Sequence, residues 1–397
     1  MGRQPSACPD ELPTPIPTVL VRTRTARRTH LAAVATLILI GTSACTLPAN
    51  SDCPREAKSA AATSTTGFGG MAGLVEAAQK EGTLNVIGLP ADWANYGEII
   101  KGFQARYRLK VVSAQPEASS AEEMTAARNL KGECKAPDVF DLGGAVASAN
   151  TAMFAAYKVA TFDDVPAALK DASGLWVSDF GGYMSIGYDE GKVPAPVTVE
   201  DLLKPEYKGK VALKGDPTKV GAAFSSVVMA ALSQGGTADD ISKGVAFFAS
   251  LKAAGNYALF DPTTATIESG QTPVVFDWDY LNVNQGKKLE GTVHWRTVIP
   301  AGAVVGGYYV QAINKDAPHP AAARLWEEYL YSDEGQNLWL KGGARPVREE
   351  AMVAAGTIDK AAYDALPKAE GTPVFLTTAQ SDKATAYLTA NWAKARA

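Results

Sequence analysis

Regular patterning along the chain begins near residue 73. The stretch LVEAAQKE carries apolar residues at helical spacing and is followed by Gly82, a glycine stop. Residues 83–89 (TLNVIGL) read as a strand, and 96–107 form a helical stretch with Ile99, Ile100 and Phe103 on one face. A second strand is predicted over 109–114, a helix over 121–130 and a short buried strand over 138–142, ending in Gly143-Gly144. A second block starts near Trp176. It holds a short helix over 199–203, a strand over 209–213 and a helix after Gly221. An amphipathic helix follows over 239–254, stopped by Gly255. Residues 274–278 and 304–313 read as strands, and Pro320 stands at a helix start whose apolar face holds Leu325, Trp326 and Tyr329. Alternating strands and helices predict an α/β fold with a mostly parallel sheet covered by helices. Such sheets place ligands at the carboxyl ends of their strands. The loops 90–96 and 143–148 are therefore candidate ligand loops.

The chain has 397 residues, 46% apolar and 20% charged, which suits a globular protein with room for two lobes. Net charge is −4, and −7 once residues 1–44 are set aside. An acidic body has no electrostatic footprint for nucleic acid, so no nucleic-acid partner is expected.

The N-terminus carries an address. Arg22, Arg24, Arg27 and Arg28 precede the apolar run LAAVATLILI and then the small residues GTSA before Cys45. This is the three-part layout of a secretory signal. The run is shorter than the roughly 20 residues needed to span a bilayer. Residues 1–20 are Pro-rich and precede the basic region, an order that points to translation from Val21. Small residues ending at Cys45 resemble a bacterial lipobox, with Thr42 where Leu is usual. That resemblance implies lipidation of Cys45 and a lipid anchor on the outer face of the membrane; a plain secretory signal with a periplasmic product is the alternative. Residues 45–72 are rich in Ala, Ser, Thr and Gly and read as a flexible tether. Cys53 and Cys134 remain in the exported body, where a disulfide between them and two free thiols are both open.

Two strings carry a family resemblance. Residues 201–221 read DLLKPEYKGKVALKGDPTKVG, and 312–336 read AINKDAPHPAAARLWEEYLYSDEGQ. Both resemble the extracellular solute-binding proteins of ABC importers, in the branch that handles polyamines, ferric iron, thiamine and phosphonates. The resemblance implies a two-lobed periplasmic-binding-protein-like (type II) fold with two crossover hinge strands and a cleft between the lobes. It places lobe 1 at 73–177 plus 297–345 and lobe 2 at 178–296 plus 346–397. It implies a monomer that closes on a small molecule and delivers it to an ABC transporter permease.

The ligand signal lies in Phe276-Asp277-Trp278-Asp279-Tyr280, at the end of a predicted strand. Iron-binding relatives carry adjacent tyrosines at the equivalent stretch, whereas an acid beside an aromatic face resembles polyamine-binding relatives. Carboxylates hold ammonium groups by charge-assisted hydrogen bonds, and an indole face adds cation–π attraction. Trp278 and Asp279 are expected in the cleft, with Asp277 as a further candidate. Asp92, Trp93 and Tyr96 form a similar cluster on the first strand-to-helix loop, with helix capping by Asp92 as the alternative. Gly221 begins a helix whose free N–H groups suit an anionic ligand group. The expected ligand is a putrescine- or spermidine-like amine; 2-aminoethylphosphonate, ferric iron and thiamine are the alternatives. No cofactor or metal is expected. His294 and His319 lie outside any metal-ligand spacing, and no GxSxG elbow, GxxxxGK[ST] loop or complete GxGxxG follows Cys45. A non-enzyme is expected, with a secreted hydrolase built on an acid pair as the remote alternative.

Overall fold

The computed structural model describes residues 56–396. The leader, Cys45 as the expected lipidation site, and Cys53 lie outside the described residues. Cys134 is disulfide-bonded.

Among the described residues, ten strands form two sheets. A parallel pair joins β1 (Thr83–Ile87) to β2 (Lys110–Ala114). The larger sheet contains β3 (Val139–Gly143), β4 (Phe154–Ala155), β5 (Val177–Asp189), β6 (Val211–Leu213), β7 (Val274–Trp278), β8 (Trp295–Val298), β9 (Gly306–Asn314) and β10 (Arg345–Pro346). Its main path runs β3-β9-β5-β7-β6, with β4 on β9 and both β8 and β10 on β5. The expectation of a mostly parallel sheet is corrected. Only β1–β2 and β6–β7 pair in parallel, because β5 and β9 each run antiparallel to all their partners. Strand β5 is unbroken over 13 residues. Its first half pairs with β9 and β10, and its second half with β7 and β8, so one strand serves both ends of the fold.

Helices pack against one another at both ends of β5. Met71–Glu81 packs on Pro320–Leu330 at one end, and Tyr96–Tyr107 packs on Asp333–Lys341. At the other end, Gly221–Ser233, Ser242–Ala253 and Thr378–Arg396 stack in turn, with Trp392 edge-on to Phe248 at 5.5 Å. The main core joins both ends through Phe180, Met184, Phe276, Trp326 and Trp339, each worth about 2–3 kcal/mol of apolar burial. Pro320 stands at the first helical position, and the buried Glu81 carboxylate accepts from the N–H groups of Ala321 (3.0 Å) and Ala322 (2.8 Å). It satisfies two of the donors that any helix start leaves free.

Part of the expected tether is built into the fold. Residues Ala57–Ala61 form a helix and Thr65–Phe68 a 3₁₀ turn. Buried Arg324 donates to the carbonyls of Ala60 (2.8 Å) and Ala62 (2.7 Å), so its guanidinium binds this segment to the helix Pro320–Leu330. An Ala/Ser/Thr-rich composition left few apolar side chains to signal that docking; the holding groups are backbone carbonyls.

Candidate functional site

A cavity of about 360 Å³ opens where the loops after β1 and β2 face the ends of β6 and β7 and the helix Asp279–Lys288. On one side it is lined by Pro90, Asp92, Trp93 and Glu117, and on the other by Lys214, Asp277, Asn282, Gln285 and Lys288.

The first wall is shaped by backbone geometry. Gly88 ends β1 at φ +69, and a Cβ there would press on the Glu123 carboxylate at 2.8 Å, so this turn needs glycine. Ala94 and Asn95 also take positive φ. The Trp93 carbonyl accepts from Tyr96 N–H (3.0 Å), and Asn95 Nδ2 donates to the Leu338 carbonyl (2.8 Å). The loop is thereby fixed with the Trp93 indole edge-on to Tyr309 (4.7 Å) and Phe180 (5.8 Å).

Strand alternation sets the second wall. Val275 and Asp277 line the cavity, whereas Phe276 and Trp278 join the core. Successive side chains of a strand point to opposite faces, and β7 stays extended through Trp278. The expectation favouring Trp278 and Asp279 in the cleft is therefore corrected: of the two flanking acids, Asp277 lines the cavity. Trp278 is buried, with its ring where a Gly307 side chain would be. Asp279 is fully buried; its Oδ1 accepts from Tyr183 N–H (3.0 Å) and Tyr280 N–H (2.9 Å), and its Oδ2 pairs with Arg345 at 3.3 Å. Tyr280 is buried, and its hydroxyl has no partner. Tyr96 is buried beneath the loop, donating to Asp141 Oδ2 at 2.8 Å. Gly221 is the first residue of its helix, exposed and outside the cavity lining. The expected ligand loop 143–148 instead forms the helix Gly144–Ala149, which does not line the cavity.

Asp92, Trp93 and Asp277 are thus brought together, and the structure adds residues that sequence reasoning missed. Both cavity aspartates already have lysine partners. Lys288 Nζ reaches Asp92 Oδ2 at 2.7 Å across the cavity, and Lys214 Nζ reaches Asp277 Oδ2 at 3.1 Å. The hydrogen bond from Lys288 holds the Asp92 carboxyl below its usual range. Burial pushes the Asp277 carboxyl up, against the pull of Lys214. Asn282 Nδ2 donates to Ser185 Oγ (2.8 Å), which donates to the Asp277 carbonyl (2.8 Å) and so braces the β7 end. Lys214 falls inside the string quoted above for the family resemblance, but nothing local to it or to Lys288 signals the acids they meet.

Tyr308 and Tyr309 are successive residues of β9 and diverge, Tyr308 toward Phe375 (5.7 Å) and Tyr309 toward Trp93. Among the described residues, no group of three or more His, Cys, Asp or Glu side chains is placed to hold a metal ion. No described helix is long and apolar enough to cross a membrane.

Comparison with known proteins bears on the same frame. No curated protein matches this sequence significantly. Among solved structures, an ABC transporter substrate-binding protein from Bradyrhizobium japonicum aligns with a TM-score of 0.63 at 13% identity, covering 79% of this chain and 99% of its own. A ferric binding protein from Campylobacter jejuni aligns at 0.58 and 16% identity, with coverage of 79% and 99%. A spermidine/putrescine ABC transporter substrate-binding protein from Streptococcus pneumoniae aligns at 0.57 and 15% identity, again covering 79% and 99%. These likenesses establish the two-lobed α/β fold. The sequence model of the bacterial extracellular solute-binding protein family matches residues 144–370, more than half of the chain. That family captures solutes and does not transform them. The chain belongs to the bacterial extracellular solute-binding proteins, the substrate-binding components of ABC import systems.

Proposed function

We propose that this protein captures a small solute bearing an ammonium group and delivers it to an ABC permease. The observation that carries this reading is the convergence of the Trp93 indole with the carboxylates of Asp92, Asp277 and Glu117 in one cavity. A carboxylate accepts charge-assisted hydrogen bonds from an ammonium group, and an indole face attracts the same charge. One wall stands on the loops after β1 and β2 and the other on β6, β7 and the helix Asp279–Lys288, so ligand held by both favours the closed arrangement of the lobes, at 73–177 plus 297–345 and 178–296 plus 346–397. Closure then presents the permease with a loaded monomer, held at the outer face of the membrane through Cys45.

Thermal-shift screening of the purified protein against small amines and amine-free anions tests the reading, since a ligand that binds only the folded form raises the melting temperature. An amine is expected to raise it, and Trp93→Ala to weaken that amine about tenfold, the equivalent of about 1.4 kcal/mol. A shift given only by solutes without an ammonium group would refute the proposal.

A further inference from the structure

Resting on the amine reading, we propose that the ligand is a small zwitterion whose anionic end is read by Lys288 and Gln285, with Lys288 setting specificity. Gln285 Nε2 is buried in the cavity wall without a hydrogen-bond partner, while its Oε1 accepts from Thr264 Oγ1 at 3.2 Å. Buried donors are nearly always satisfied, and Gln285 lines the cavity, so rotation of its amide would bring this donor to a ligand held there. Lys288 follows three residues later on the same helix, so the two side chains are neighbours on one face.

The two lysine pairs are not equivalent. Asp277 is 5% exposed, and a buried carboxylate stripped of its partner is strongly destabilised, so Lys214 stays with it. Asp92 and Lys288 keep side-chain exposures of 69% and 48%, and exposed pairs of this kind contribute little. That pair opens. A ligand ammonium takes Asp92, and Lys288, displaced inside a closing cleft, takes the anionic group of the same ligand. The ligand is interposed in an existing ion pair. The charged side chains that line the cavity, Asp92, Glu117, Asp277, Lys214 and Lys288, sum to −1; a zwitterion leaves that charge unchanged, whereas a diamine turns it to +1 with two lysines alongside.

Calorimetric titration of the purified protein with four probes tests this: 2-aminoethylphosphonate, γ-aminobutyrate, putrescine and propylphosphonate. At least one zwitterion is expected to bind about tenfold tighter than putrescine, and the two zwitterions distinguish a phosphonate from a carboxylate end. Lys288→Met is expected to weaken that zwitterion about tenfold while leaving putrescine unchanged or tighter, with Lys288→Arg restoring much of the loss. Gln285→Leu is expected to weaken it to a smaller degree. Putrescine binding tighter than both zwitterions, or Lys288→Met leaving zwitterion affinity unchanged, would overturn the proposal. Binding of propylphosphonate alone, lost in Lys288→Met, would keep the anion subsite and remove the amine reading. Failure of every anion-bearing probe to bind the folded protein would overturn the subsite itself.

Discussion

Replacing Arg345 by Met probes how the cavity helix is held. Arg345 and Asp279 are both buried, with side-chain exposures of 8% and 0%, and the guanidinium also lies 4.3 Å over the Tyr183 ring. Burial pushes the Asp279 carboxyl up to about 6, against the pull of Arg345 and of the N–H groups of Tyr183 and Tyr280. Above that pH the carboxylate is charged and Arg345 is its only cationic partner among the described residues. Removing one member of such a pair costs about 3–5 kcal/mol. Near pH 5 the carboxyl is already protonated, and the loss shrinks to that of a hydrogen bond and the ring contact, about 1–2 kcal/mol. The sign is set by a folded-state value raised above the free one: stability from this group is full at low pH and is lost as pH rises through about 6. Urea unfolding of wild type and variant at pH 5 and pH 8 measures both ends. Arg345→Met is expected to cost more at pH 8, by about 2 kcal/mol. An equal loss at the two pH values, or a loss below about 1 kcal/mol at pH 8, would refute the reasoning.

Two further perturbations follow from the same structure. Burial raises the carboxyls of Asp179 to about 7 and Glu327 to about 8, and also raises those of Asp141 and Glu123, while Asp138 raises the His319 imidazole. The folded state therefore holds protons that the unfolded chain releases, and the melting temperature should fall steadily from pH 5 to pH 8; a flat or rising profile would contradict this. Gly244 faces the helix Gly221–Ser233 so closely that a Cβ would overlap the Val227 carbonyl. Gly244→Ala should cost about 1–3 kcal/mol by overpacking despite its better helix propensity, and an unchanged unfolding free energy would show that the two helices separate freely.

Elements with clean periodicity were legible in the sequence. Tyr96–Tyr107, Val274–Trp278 and the Pro320 helix start stand where spacing and punctuation put them. Strand β5 was not, because VSDFGGYMSIGYD has neither alternation nor a continuous apolar run; Gly181 and Gly182 interrupt it. Those glycines answer to tertiary packing, since Cβ atoms there would overlap the Gly307 carbonyl and Asp279 Oδ1. The site was half legible. Acid beside aromatic marked both walls, but at 276–280 the side-chain assignment depended on where β7 ends, and one more extended residue exchanges Trp278 for Asp277. The lysines were invisible for a different reason: Lys288 lies 196 residues from Asp92 and Lys214 lies 63 from Asp277. Only the fold brings them together.

The continuity of β5 gives the molecule the mechanics of a crankshaft. Gly181 and Gly182 lie where its two sets of partners meet, so relative motion of those partners would be taken up as torsion along the strand. At Gly182 the place of a side chain is taken by Asp279 Oδ1, the first residue of the helix that carries Asn282, Gln285 and Lys288. Asp279 Oδ1 also accepts from Tyr183 N–H, so a twist there would reach that helix through one carboxylate. On the proposed reading, a ligand held by Lys288 would pull back along the same linkage, tying what the pocket holds to how the strand is wound.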